Sequence, residues 1–157
     1  MFLTINYKKM KNTKIGFIQA CLILVFFTVF FSSCSENNNG DKGIGPIKKV
    51  ELGAINEELA VKGKVIFSKK CMECHNIDIK LKGPSLRDVT KKRKAEWIMN
   101  MILNTEEMIK KDPQAKILFN EHVVKMVVKD VNEQDARMVL EYLRSIDNNI
   151  NLDTIPR

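Results

Sequence analysis

Polar and apolar positions divide the chain into an apolar leader, a polar spacer and a body with helical periods. Ile15–Phe31 is an almost unbroken apolar run, interrupted only by Gly16, Gln19 and Thr28. Ser35–Pro46 (SENNNGDKGIGP) has no apolar period and is rich in Asn and Gly, which predicts a flexible tether. In the body, Asn56 followed by Glu57 and Glu58 opens a first helix toward Cys71, with Leu59, Val65, Ile66 and Phe67 as apolar positions. Thr90 is expected to open a second helix holding Trp97, Ile98, Met101 and Ile102. Asp112-Pro113 starts a third, pairing an N-cap with proline at the first helical position. Asn132 with Asp135 caps a fourth, where Val139, Leu140, Tyr142, Leu143 and Ile146 recur at helical spacing. Val123, Val124, Val127 and Val128 crowd β-branched side chains around Met126, so that stretch should leave helical geometry. No run alternates as a strand does, and the expected fold class is all-α.

The leader reads as an address. Lys8, Lys9, Lys11 and Lys14 precede the apolar run, and Ser32-Ser33-Cys34 ends it with small residues, the layout of a bacterial secretory signal. It resembles the lipoprotein variety, in which the cysteine is acylated, although Phe31 stands where an aliphatic residue is usual. An uncleaved anchor is the other reading, because seventeen residues is near the short limit of a span. Either places the body on the periplasmic side of a bacterial membrane, since the positive flank stays inside. The expected organisation is a signal peptide over 1–33, lipidated Cys34 and tether over 34–47, a domain over 48–147 and a polar tail over 148–157.

Charge changes the picture little. The net charge of +7 includes the four leader lysines, and the rest of the 157 residues carries only +3, so no nucleic-acid partner is expected. Of four cysteines, only Cys71 and Cys74 lie in the body, too few and too close for a disulfide framework. A body of roughly a hundred residues has a marginal core and gains from a large prosthetic group.

Cys71-Met72-Glu73-Cys74-His75 carries the chemistry. C-x-x-C-H is the pattern of c-type haem attachment. Residues i and i+3 of a helical turn share a face, so both thiols can reach the vinyl groups on one porphyrin edge while His75 reaches the iron. A redox dithiol would want a βαβ context, and a Cys2His2 zinc site would need His122 and lacks the finger spacing.

With this motif the chain resembles the monohaem class I cytochrome c family over about residues 59–146. Gly63-Lys64-Val65-Ile66-Phe67 is similar to the family's Gly-x-x-x-aromatic stretch, Gly83-Pro84-Ser85-Leu86 to its Gly-Pro-x-Leu loop, Trp97 with Met101–Asn104 to its middle helix, and Leu140–Leu143 to its last. The resemblance implies one covalent haem c on Cys71 and Cys74, with His75 as proximal iron ligand. It also implies a distal methionine in the non-helical stretch before the last helix, which is Met126, although Val127 stands where proline often follows. Met108, expected in a loop, and His122 are the alternatives to Met126. The family assigns the acceptor for the His75 Nδ1–H to the Gly-Pro loop, here Pro84. Trp97 has two open readings, a haem propionate contact or core packing. Gly63 is expected to let the first helix approach the last, with Phe67 and Tyr142 across the crossing.

The function implied is one-electron transfer, not enzymatic turnover, in a membrane-tethered carrier of a respiratory chain. Its partners would be a quinol-oxidising complex and a terminal oxidase or copper reductase. The alternative is a haem c protein with a vacant or displaceable sixth ligand, acting in gas sensing or in peroxide or NO chemistry. Lys69, Lys70, Lys80, Lys82 and the run Lys91-Lys92-Arg93-Lys94 read either as a steering field for acidic partners or as an ordinary solvated surface.

Overall fold

The computed structural model describes residues 42–122 and 124–154. The leader, Cys34 and the start of the spacer lie outside the described residues, as do Val123 and the last three positions. Among the described residues the elements are helical throughout: α1 (Glu57–Lys70), α2 (Val89–Lys92), α3 (Ala95–Leu103), α4 (Thr105–Lys111), α5 (Pro113–His122), α6 (Glu133–Asp147) and a 3-10 turn over Leu152–Thr154. None of these helices is long and apolar enough to cross a membrane.

Helix starts follow local chemistry. Asn56 accepts from the Leu59 N–H at 2.9 Å, and α1 has Glu57 and Glu58 in its first turn and Lys69 and Lys70 in its last, as the helix dipole favours. A reciprocal capping box between Asn132 and Asp135 opens α6. Asp112 Oδ1 accepts from the Ala115 N–H at 2.9 Å at the start of α5. The helix expected to open at Thr90 is two helices. Arg93 is extended between α2 and α3, and Thr90 lies inside α2. The α2 start is satisfied from outside: buried Asp147, ending α6, accepts from the Asp88 N–H (2.8 Å), the Thr90 N–H (2.9 Å) and the Thr90 hydroxyl (2.7 Å).

Helices α1 and α6 form the main crossing. Gly63 is buried there, and a Cβ on it would run into the Met138 carbonyl oxygen. Phe67 meets Tyr142 with ring centroids 5.3 Å apart, and Ala60, Ala136, Val139, Leu140 and Leu143 fill the buried core. Glu141 is fully buried on α6. It accepts from Arg137 Nε at 3.0 Å and Arg144 Nη1 at 2.8 Å, and those arginines also donate to the carbonyls of Glu51 and Gly53. A buried carboxylate tolerates this position because its charge is paired and hydrogen-bonded.

Two expectations are corrected. The segment read as a tether is a docked strap from Lys42 onward. Fully buried Asn100 of α3 donates to the carbonyls of Lys42 and Ile47 and accepts from the Ile47 N–H, each at 2.9 Å. The glycines there permit contact rather than looseness. Gly43 adopts φ +72° against the Met108 side chain, and a Cβ on Gly45 would collide with the Asn100 amide. Met108 is not in a loop: it is fully buried on α4, and its sulfur accepts from the Ile44 N–H at 2.9 Å. It packs under the strap and is committed there. The polar tail also has structure, since Lys64 pairs with Asp153 of the 3-10 turn at 2.7 Å.

Candidate haem site

Helix α1 runs out at Cys71, where the chain continues as a hydrogen-bonded turn. The Cys71 and Met72 N–H groups donate to the Phe67 carbonyl, and those of Cys74 (3.0 Å) and His75 (2.9 Å) donate to the Cys71 carbonyl. That turn brings Cys71, Cys74 and His75 to one cleft of about 450 Å³. Its walls are apolar: Phe67 from α1, Ile98 and Met101 from α3, Leu118 and Phe119 from α5, Val139 and Leu143 from α6. Met126, Pro84, Trp97 and His122 also line it. Residues scattered over half the sequence thus face one cavity, of a volume typical for a cofactor site.

His75 is held from two sides. Its Nδ1 lies 3.0 Å from the Pro84 carbonyl oxygen, the geometry of an N–H donated to that carbonyl. This leaves Nε2 as the nitrogen with a free lone pair. Burial lowers its pKa, the Pro84 carbonyl opposes this, and the nearby His122 charge adds to the lowering, so the neutral imidazole is favoured. Against the same ring sits Gly83, which the sequence reading named only within the Gly-Pro-x-Leu loop. A Cβ there would stand 2.5 Å from His75 Cε1 and 2.9 Å from Nδ1. The signal that could have found it is the need for a small residue beside a ring fixed by its neighbour's carbonyl. Gly83→Val is therefore expected to push the ring off Pro84 and to cost about 1–3 kcal/mol by overpacking. A denaturation midpoint equal to wild type would show the ring yields freely.

The thiol chemistry separates this site from its rivals. Burial, with a contribution from Cys74, raises the Cys71 pKa to about 11, so the thiolate is disfavoured at neutral pH. A redox dithiol works in the opposite direction. Among the described residues no group of three or more His, Cys, Asp or Glu side chains is placed to hold a metal ion.

Trp97 does not behave as a propionate donor. Its indole N–H donates to buried Asp112 Oδ1 at 3.1 Å, an acceptor within the protein, and Arg93 lies 4.9 Å over its ring. The cationic residues lining the cleft include Lys92 and Arg93, which donate to the Arg87 carbonyl and to Gln114 Oε1 rather than to carboxylates. They are the groups suited to an anionic edge of a ligand. Met126 lies half-buried in the irregular stretch 124–129 between α5 and α6. His122 ends α5, and its Nδ1 is a buried polar atom without a hydrogen-bond partner among the described residues. Two thiols on one turn, a neutral imidazole, an apolar cleft and an orphaned buried nitrogen fit a covalently held haem.

Helical elements around such a cleft define a c-type haem protein. The cytochrome c family model matches residues 60–147, and the chain belongs to that family. The chain is similar to the cytochrome c from Rhodothermus marinus, with 42% identity over 67% of this chain and 91% of that one and a TM-score of 0.65. An engineered form of that cytochrome, Rma TDE, matches at 42% identity over 67% of this chain and 92% of its own, with a TM-score of 0.65. Its complex with a carbene intermediate matches over the same shares with the same identity and a TM-score of 0.63. No curated protein matches the chain significantly. The cofactor is covalent haem c, and the protein is a haem c electron carrier.

Proposed function

We propose that this carrier serves a respiratory chain at the periplasmic face of a bacterial membrane, tethered through acylated Cys34. The convergence of Cys71, Cys74, His75 and Met126 on one apolar cleft is the observation that supports the reading. Cys71 and Cys74 would hold the haem by thioether bonds, and His75 and Met126 would serve as the ligands of its iron. The bound haem supplies a one-electron Fe(II)/Fe(III) couple. The residues do the rest. Pro84 keeps the His75 ring oriented, and the thioether of Met126, soft and neutral, favours the reduced state. The apolar walls exclude water and disfavour the extra positive charge of oxidised iron.

An acylated Cys34 would keep the domain close to membrane-bound partners and raise its effective concentration there. A quinol-oxidising complex upstream and a terminal oxidase or copper reductase downstream are the partner classes that fit. The cationic surface is partly neutralised, since Lys82 pairs with Glu73 at 2.7 Å and Lys91 with Asp88 at 2.8 Å. If the remaining lysines steer acidic partners, second-order electron-transfer rates fall steeply as salt rises. A flat salt dependence removes the steering role.

Carbon monoxide tests the axial assignment. The reduced wild-type protein is expected to show no spectral change on its addition, and the oxidised protein to show a methionine-to-iron charge-transfer band. Ready binding of the gas would instead favour a sensor or a reactive haem protein with a displaceable ligand.

A further inference from the structure

His122 lines the cleft with a buried Nδ1, and electron transfer as derived above gives it no role. Its Nδ1 has no hydrogen-bond partner among the described residues. Burying such a nitrogen unpaired costs about 1–3 kcal/mol, so a partner from within the cleft is the physical expectation. His122 and Met126 line the same cavity but are mounted differently. His122 belongs to the last turn of α5, whereas Met126 stands in a stretch without regular structure. That stretch is lightly held. Val124 and Val127 are exposed, Asp130 takes φ 53°, and the loop's ties include the Val124 N–H donating to the His122 carbonyl at 2.6 Å, a Lys70 ammonium donating to the Lys129 carbonyl and a Lys125–Glu106 pair at 4.0 Å. Of the two, Met126 stands on the less regular mount.

We infer that His122 is a standby donor for the same iron position as Met126, taking it when the sulfur withdraws. This rests on the haem reading above. One observation favours the iron over a haem carboxylate as the partner of His122: Lys92 and Arg93 are already present in the lining for an anionic edge. An imidazole is a harder donor than a thioether and suits oxidised iron better. The device is a ligand exchange in which no covalent bond of the chain is made or broken.

The test uses mature, haem-loaded Met126→Ala, with and without His122→Phe. Met126→Ala is expected to lose the methionine-to-iron band, to stay low-spin in both oxidation states, and to give an electron paramagnetic resonance signal of two imidazole ligands. The double variant is expected to turn high-spin and to bind carbon monoxide readily when reduced. A high-spin Met126→Ala that binds the gas as readily as the double variant overturns the inference and leaves His122 a carboxylate partner at most. A double variant that remains low-spin also overturns it, pointing to a donor such as Lys125. Persistence of the methionine band in Met126→Ala would instead sink the Met126 assignment, a failure separable from that of His122.

Discussion

Asn100→Ala is expected to destabilise the haem-loaded protein by about 3 kcal/mol or more. The substitution removes three 2.9 Å hydrogen bonds at once and leaves the buried Ile47 N–H and the carbonyls of Lys42 and Ile47 without their partner. Water entering the gap can recover part of the loss, because the strap lies near the surface on one side. The denaturant midpoint should drop with little change in slope, as the strap is a small share of the surface exposed on unfolding. Hydrogen exchange supplies the local signature. The amides of Ile44 and Ile47 should lose protection in this variant well before those of α6, since the strap opens without the helix crossing. Equal protection of both regions would mean the strap unfolds only with the whole domain.

Gly63→Leu is the second large effect, expected to cost more than the usual 1–3 kcal/mol of overpacking. The would-be Cβ meets the Met138 carbonyl oxygen and carbon, with Tyr142 Cβ 3.0 Å away. A flexible side chain could turn aside from such a clash, but a helix backbone cannot. The crossing must open, and with it the contact between Phe67 and Tyr142 and the cover that Phe67, Val139 and Leu143 give the cleft. Haem-loaded protein should therefore be recovered in poor yield, with a melting temperature well below wild type. Unchanged thermal stability would place the close approach of α1 and α6 elsewhere.

Legibility in the sequence followed the range of the interactions. The caps at Asn56, Asp112 and Asn132 are decided within four residues, and each stands where the sequence puts it. Gly63 was legible because a glycine inside an amphipathic helix, four residues before an aromatic one, marks a close crossing. Thr90 misled because the acceptor that starts α2 comes from Asp147, 57 residues away. The strap misled for a related reason. Gly43 and Gly45 look like flexibility in a polar stretch, yet their missing side chains make room for Met108 and Asn100, neither of which is close in sequence. The contact of Met108 with Ile44, far from it in sequence, was likewise invisible. Within the site, the thiols and His75 announce themselves by adjacency. Gly83 as a wall behind His75, and the unpaired nitrogen of His122, required the folded cleft to be seen.

The central claim is tested most directly by intact mass spectrometry of the exported, mature chain from a host with working haem-maturation machinery. The account predicts one haem mass on the polypeptide, lost from a Cys71→Ala/Cys74→Ala variant, with neither thiol of the wild type open to alkylation. Free, alkylatable Cys71 and Cys74 on a chain carrying no tetrapyrrole would contradict it.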